Sequence, residues 1–284
     1  MDSLALETES FDCAQNGLWG TRLTRKSAGE SMIKLTIQGG MKESGWRTFY
    51  RVGGASVLLT ILVVLAEIAI GFLPGVALAT QRTVTVVDWF SLFQDNWFLG
   101  LRNLGLLNLI GAALLTPAFL AIYFALRRDA EPWAAMGAIL FFVGMAVYLS
   151  TNRAFAMLSL SGQYARAITD AQRALLAGAG QAMLAESANR VGIFVIDSAG
   201  LVLSAAMLKS TVFGKGVAYT GMLGNALMIF VEIILAFAQA WIKAGLVIAI
   251  GGGISIITWY LLIGRRLFQL AASPMDANGP SGKT

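Results

Sequence analysis

The chain has 284 residues, of which 57% are hydrophobic and 13% charged, with a formal net charge of +5, one cysteine and no histidine. Soluble domains carry about 25% charged residues, so this is the composition of a membrane protein, and its basic excess reads as cytoplasmic loops with no nucleic acid as partner. The missing histidine excludes His-ligated haem or zinc and a Ser-His-Asp triad, and the single Cys13 excludes an internal disulfide and a Cys-rich metal centre.

Residues 1–45 mix Ser, Thr, Gly and charges with no lasting period, which predicts a disordered tail; they also lack the apolar core of a signal peptide. Met41, just ahead of the first apolar stretch, offers an alternative start, in which case residues 1–40 are a mis-assigned extension. The first span is expected from Gly53 to Leu78, preceded by Trp46, Phe49 and Tyr50 as an interfacial belt beside Arg47 and Arg51. A connection from Thr80 to Asn103 comes next. Positions 86, 90, 93 and 97 share one helical face, which predicts a helix lying flat in the interface.

The second span is expected from Leu104 to Leu126, ending at Arg127-Arg128 and kinked by Pro117, and the third from Trp133 to Ala156. Over residues 157–190, Ser159, Gln163, Arg166, Asp170, Arg173 and Glu186 interrupt an apolar stripe, which predicts one amphipathic helix at the outer side of the bundle. The fourth span is placed at Val191–Leu208, the fifth at Val217–Ala240 and the sixth at Ala244–Gly264, ending at Arg265-Arg266; residues 271–284 read as a disordered tail. Gly251-Gly252-Gly253 inside the sixth span serves either close helix packing or a broken helix. The fold class is therefore all-α, a polytopic bundle over residues 46–270. The pairs Arg127-Arg128 and Arg265-Arg266 fall on one side, which by the positive-inside rule puts both termini in the cytoplasm of a multi-pass cell-membrane protein.

Charges inside spans cost about 2.5–3.5 kcal/mol each, so each asks for a reason. Glu67 falls in the first span, Arg153 near the outer end of the third, Asp197 in the fourth and Glu232 in the fifth. At about 1.5 Å per residue, all four lie in the outer half of the bilayer. Small and polar residues share their helical faces: Asn108 on the second span, Gly200 and Ser204 with Asp197, Gly221 and Asn225 with Glu232. Such faces turn inward, which predicts a polar cluster of Glu67, Asn108, Arg153, Asp197, Asn225 and Glu232, with Arg153 offsetting one or more of the acids. The cluster serves either to fix helix association or to bind a small ligand, a cation or a proton. No catalytic residue, metal or cofactor is implied.

The spans also carry a resemblance. Trp46-Arg47-Thr48-Phe49-Tyr50-Arg51-Val52-Gly53-Gly54, Gln94-Asp95-Asn96-Trp97-Phe98-Leu99-Gly100, Leu106-Leu107-Asn108-Leu109-Ile110, Ala121-Ile122-Tyr123-Phe124-Ala125-Leu126-Arg127-Arg128, the segment Ser159 to Met183, Lys209-Ser210-Thr211-Val212-Phe213-Gly214-Lys215 and Trp259-Tyr260-Leu261-Leu262-Ile263-Gly264-Arg265-Arg266-Leu267 occur in that order. Together they resemble the bacterial and archaeal membrane-protein family catalogued as domain of unknown function 4386. The resemblance implies six membrane helices and a start near Met41, and carries no activity with it. Three functions stay open: a non-enzymatic structural or accessory subunit of a membrane assembly, with the bilayer and other membrane subunits as partners; a small-solute, cation or proton transporter using the polar cluster; and an intramembrane lipid-active enzyme.

Overall fold

The computed structural model describes residues 20–71, 85–185 and 188–273, and every regular element in them is helical. The helices are α1 (Gly20–Gly71), α2 (Val86–Asp95), α3 (Trp97–Asn103), α4 (Leu106–Ser150), α5 (Ala154–Arg166), α6 (Asp170–Ala185), α7 (Ala188–Met207), α8 (Lys215–Phe237) and α9 (Ile242–Ala272). The chain divides into two units, Met1–Trp46 with Pro274–Thr284, and Arg47–Ser273. In the first unit the described backbone is helical from Gly20, within the stretch that the composition marks as a tail. Cys13, Leu78 at the end of the expected first span, Thr80, Glu186 and the tail from Pro274 lie outside the described residues. Both hydrophobic cores are built from residues of the second unit.

Five helical stretches are long and apolar enough to cross a membrane: Gly45–Gly71, Leu106–Arg166, Asp170–Met207, Lys215–Phe237 and Ile242–Ala272. Leu62, Ile139, Leu223, Leu246 and Ile254 are among the large apolar side chains left on the outside of the bundle, as lipid-facing residues are. The Leu106–Ser150 helix contains a reversal. Straight, its 45 residues would extend about 68 Å, twice the hydrocarbon thickness. Ala130 leaves helical geometry at φ −146° and ψ 46°, and Pro132 beyond it lacks the N–H that would continue the ladder. Phe119 and Phe141, which a straight helix would hold about 33 Å apart, stack with ring centroids 3.7 Å apart. α4 is thus two arms folded on each other. Pro117 sits inside the first arm without a departure from helical φ/ψ, so the expected kink there is displaced to Ala130.

The core of the bundle is built on Phe119, Phe141, Leu203, Trp259, Ile263 and Leu267. α4 packs on α7, α7 on α8 and α8 on α9. At the α4–α7 crossing, a Cβ on Gly144 would meet Ile196 and one on Gly192 would meet the backbone of Tyr148, so the two backbones approach as closely as glycine allows. α9 runs unbroken through Gly251-Gly252-Gly253. Gly252 packs on Leu227 and Met228, whereas a Cβ on Gly251 or Gly253 would meet open space.

α2, α3, α5 and α6 form a second, smaller core around Val86, Trp89, Phe90, Phe93, Leu101, Ala154 and Met157. The face of 86, 90 and 93 is real, but α5 and α6 cover it; Trp97, by contrast, belongs to the next helix and is 59% exposed. The one amphipathic helix expected over 157–190 is two, α5 and α6. Thr169 Oγ1 accepts from the Gln172 amide while Gln172 Oε1 accepts from the amides of Ile168 and Thr169, a reciprocal cap that starts a new helix. Thr85 and Asp88 cap α2 in the same way. The Thr85 amide and hydroxyl, donating to the exposed Asp88 carboxylate, hold it below the usual carboxylate range.

Candidate functional site

The six residues that the sequence groups fall into four settings. Glu67 on α1 pairs with Arg102 of α3, whose Nη2 lies 3.4 Å from the carboxylate and donates to the Glu67 carbonyl at 2.9 Å. Arg102 is buried, and its Nη1 also donates to Asn103 Oδ1 at 2.8 Å. The guanidinium therefore ties α1 to the outer layer that α2, α3, α5 and α6 form outside the main core. Arg153, at the start of α5, donates from Nη1 to the carbonyls of Met183 and Leu184, closing the C-terminal turn of α6. The last carbonyls of a helix lie at the negative end of its dipole, so a cation there has a structural reason. Asn108 is exposed on the first arm of α4. It lines a cavity of about 340 Å³ together with Thr60, Tyr148 and Tyr260.

Asp197, Asn225 and Glu232 occupy the fourth setting, the interior between α7, α8 and α9. The small, polar faces of α7 and α8 meet there. A Cβ on Gly200 would collide with the Asn225 side chain, and one on Gly221 with Ser204 Oγ and Trp259 Nε1. Only glycine lets these helices close on one another at those two positions. Asn225 is buried and donates to the Gly221 carbonyl at 2.7 Å. Ser204 Oγ and Trp259 Nε1, both fully buried, have no hydrogen-bond partner among the described residues.

Asp197 and Glu232 lie within electrostatic reach of each other. One carboxylate oxygen of each, Asp197 Oδ2 and Glu232 Oε2, is buried and has no hydrogen-bond partner among the described residues. Arg190 acts on Glu232, and Tyr260 lies near Asp197. Asp197 and Tyr260 also line a larger cavity of about 600 Å³, whose remaining wall is apolar side chains of α1, α8 and α9 with Gly253. Val64, Ile256 and Tyr260 line both cavities and stand between them.

The residues missed by sequence reasoning are Arg102, Trp259 and Tyr260. Arg102 had a signal, since it is a basic residue just ahead of the second expected span. Trp259 and Tyr260 had none, because an aromatic pair near a span end reads equally well as an interfacial belt. Chemically, the interior offers two acidic groups of like charge, an apolar chamber and unsatisfied donors. Of these, the acidic groups are the ones able to take up a proton or to face a positive charge. Compared with family models, with curated proteins and with solved structures, the chain has no match in any of the three.

Proposed function

We propose that this chain is a six-pass membrane protein that carries a small cation, a small solute or protons through its own bundle, using Asp197 and Glu232. The observation that supports this reading is that Asp197 and Glu232 each keep a buried carboxylate oxygen without a partner and form no ion pair among the described residues, whereas Glu67, which also keeps one such oxygen, pairs with Arg102. Two acids within electrostatic reach of each other in low dielectric repel each other and lose hydration, and a purely structural pair would be cheaper as amides. The sixth pass comes from the reversal at Ala130, which makes Leu106–Ser150 two crossings. Cytoplasmic termini, a place in the cell membrane and membership of the family catalogued as domain of unknown function 4386 belong to the same proposal. The test is flux. The full chain in proteoliposomes is given gradients of protons, Na⁺, K⁺ or a small organic cation, and the flux is read with entrapped indicators or, for the organic cation, by its uptake. Flux above that of protein-free vesicles, lost in Asp197→Asn with Glu232→Gln, supports the reading. Flux no greater than in protein-free vesicles, or undiminished in the double variant, overturns it.

A second reading, an accessory subunit, draws on α9. Leu246, Val247, Ile250 and Ile254 are 58–70% exposed, and Gly251 opens on the exterior four residues before Ser255. Small residues at that spacing admit a second helix closely. Mass spectrometry of proteins co-purifying in mild detergent distinguishes it: a stoichiometric partner released by Gly251→Leu favours this reading, and a chain that purifies alone removes it.

A further inference from the structure

We infer that the chamber beside Asp197 is a binding site for a lipophilic organic cation that enters sideways from the hydrocarbon of the bilayer, between α1 and α9. The inference rests on the transport reading above and names its substrate class. Three observations carry it. The first is place. Ile68, Ile250 and Ile254 line the chamber and are 47%, 58% and 63% exposed, so they form a rim that opens on the outside of the bundle. α9 contributes its residues from Ala249 to Tyr260, the middle of its Ile242–Ala272 span, so that opening faces acyl chains and not water. The second is size. About 600 Å³ falls within the range of sites for drug-sized molecules. The third is charge: the wall is aliphatic apart from Asp197 and Tyr260, and the charge acting on Asp197 is the like charge of Glu232.

These observations separate the candidate occupants. A lipid acyl chain satisfies the aliphatic wall but leaves the carboxylate facing hydrocarbon, where an unpaired charge is costly. A hard metal cation satisfies the carboxylate but needs about six oxygen ligands, which an aliphatic wall does not supply. A molecule with an apolar body and one positive charge satisfies both at once. Gly253 provides the means of testing occupancy, because a side chain there would project into the chamber without meeting protein atoms.

The experiment uses the full chain in phosphatidylcholine nanodiscs, with tetraphenylphosphonium as probe and equilibrium dialysis against protein-free nanodiscs as readout. Tetraphenylborate, of the same shape and opposite charge, is the control. Saturable binding of the phosphonium and none of the borate is expected, with affinity lowered about tenfold or more by Asp197→Asn, since a charge-assisted contact is lost. Gly253→Phe is expected to abolish binding while leaving the elution volume and helical circular dichroism unchanged. Equal binding of both ions, or phosphonium binding untouched by Asp197→Asn, overturns the inference. The borate comparison needs no variant, so the inference stays open to refutation even where a substituted chain fails to fold. If the phosphonium does not bind while acid-dependent proton or metal-cation flux is measured, the inference falls and the transport reading stands. If it binds as described while no flux of any probe is found, the site stands and the transport reading falls.

Discussion

The outer layer and the α7–α8–α9 interior treat polar groups in opposite ways. In the outer layer they are mostly closed, the exception being Nε of the buried Arg102, which has no partner among the described residues. Ser161 accepts from Gln94 Nε2 at 2.8 Å and donates to the Phe90 carbonyl at 2.9 Å, Arg153 closes the end of α6, and reciprocal caps start α2 and α6. In the interior Asp197 Oδ2, Ser204 Oγ, Glu232 Oε2 and Trp259 Nε1 are left open. An unsatisfied polar group costs most where water is absent. The region that could most easily have left its groups to solvent thus pairs them, and the region where pairing matters most does not. Groups that only hold a fold together are expected to look like the first set, whereas groups kept for a transient occupant look like the second.

The largest expected effect tests the junction between the two regions. Arg102→Ala removes the ion pair with Glu67 and leaves its carboxylate uncompensated, and truncating one partner of a buried pair costs about 3–5 kcal/mol. Glu67→Gln with Arg102→Met should recover most of that loss, measured by denaturant unfolding in detergent. If Arg102→Ala unfolds like the parent chain, the pair is not what joins the layer to the bundle. Next in size, Gly221→Ala forces Ser204 and Trp259 apart and should cost about 1–3 kcal/mol by overpacking. Gly178→Ala in α6, where a Cβ meets nothing, should instead gain up to about 1 kcal/mol from helix propensity. Equal effects at the two glycines would remove the distinction between a closed interface and an open surface. Arg153→Ala should cost about 1–2 kcal/mol through the two carbonyls it leaves, and hydrogen exchange should quicken chiefly at the end of α6.

The two regions also differ in how far the sequence discloses them. Span-forming segments are legible because about 20 apolar residues in a row admit few other readings. The inward faces of α7 and α8 were legible too: Gly200 and Ser204 with Asp197, and Gly221 with Asn225, are small and polar at helical spacing, and they do meet. The outer layer was harder. Periodicity says that 86, 90 and 93 share a face but not that α5 and α6 cover it. The start of α6 at Thr169-Asp170-Ala171-Gln172 was obscured because an Ala/Leu pattern continues across it, although the spacing from Thr169 to Gln172 is a capping signal. For the site, the sequence placed acids at similar depth without saying which base each one finds. Glu67 takes Arg102 from a short helix that no hydropathy window marks, and Arg153 goes to backbone carbonyls. Partners of that kind depend on tertiary approach, which spacing along one helix does not contain.

The smallest expected effect lies at Asp129, in the turn between the two arms of α4. Its Oδ2 accepts from the Thr211 amide at 2.7 Å and from the hydroxyls of Thr211 and Ser210 at 3.0 Å, with Arg128 nearby. The Thr211 amide above all, then those hydroxyls and Arg128, hold the carboxyl below its ordinary range. A depressed native pKa means that the unfolded chain binds this proton more readily than the folded one. The contribution to stability is therefore fully present above the unfolded value, near 4, and is lost as pH falls through the lower native value. Asp129 is largely exposed, so the effect is about 1 kcal/mol or less. Compared from pH 6 downward, the parent chain should exceed Asp129→Asn by a constant margin that closes only below about pH 4. A margin that persists to the lowest pH would mean that shape rather than charge holds the turn. A margin absent throughout would mean that this closed group, unlike those of the outer layer, does not stabilise the fold, and the rule drawn from the contrast would then not extend to the far end of the bundle.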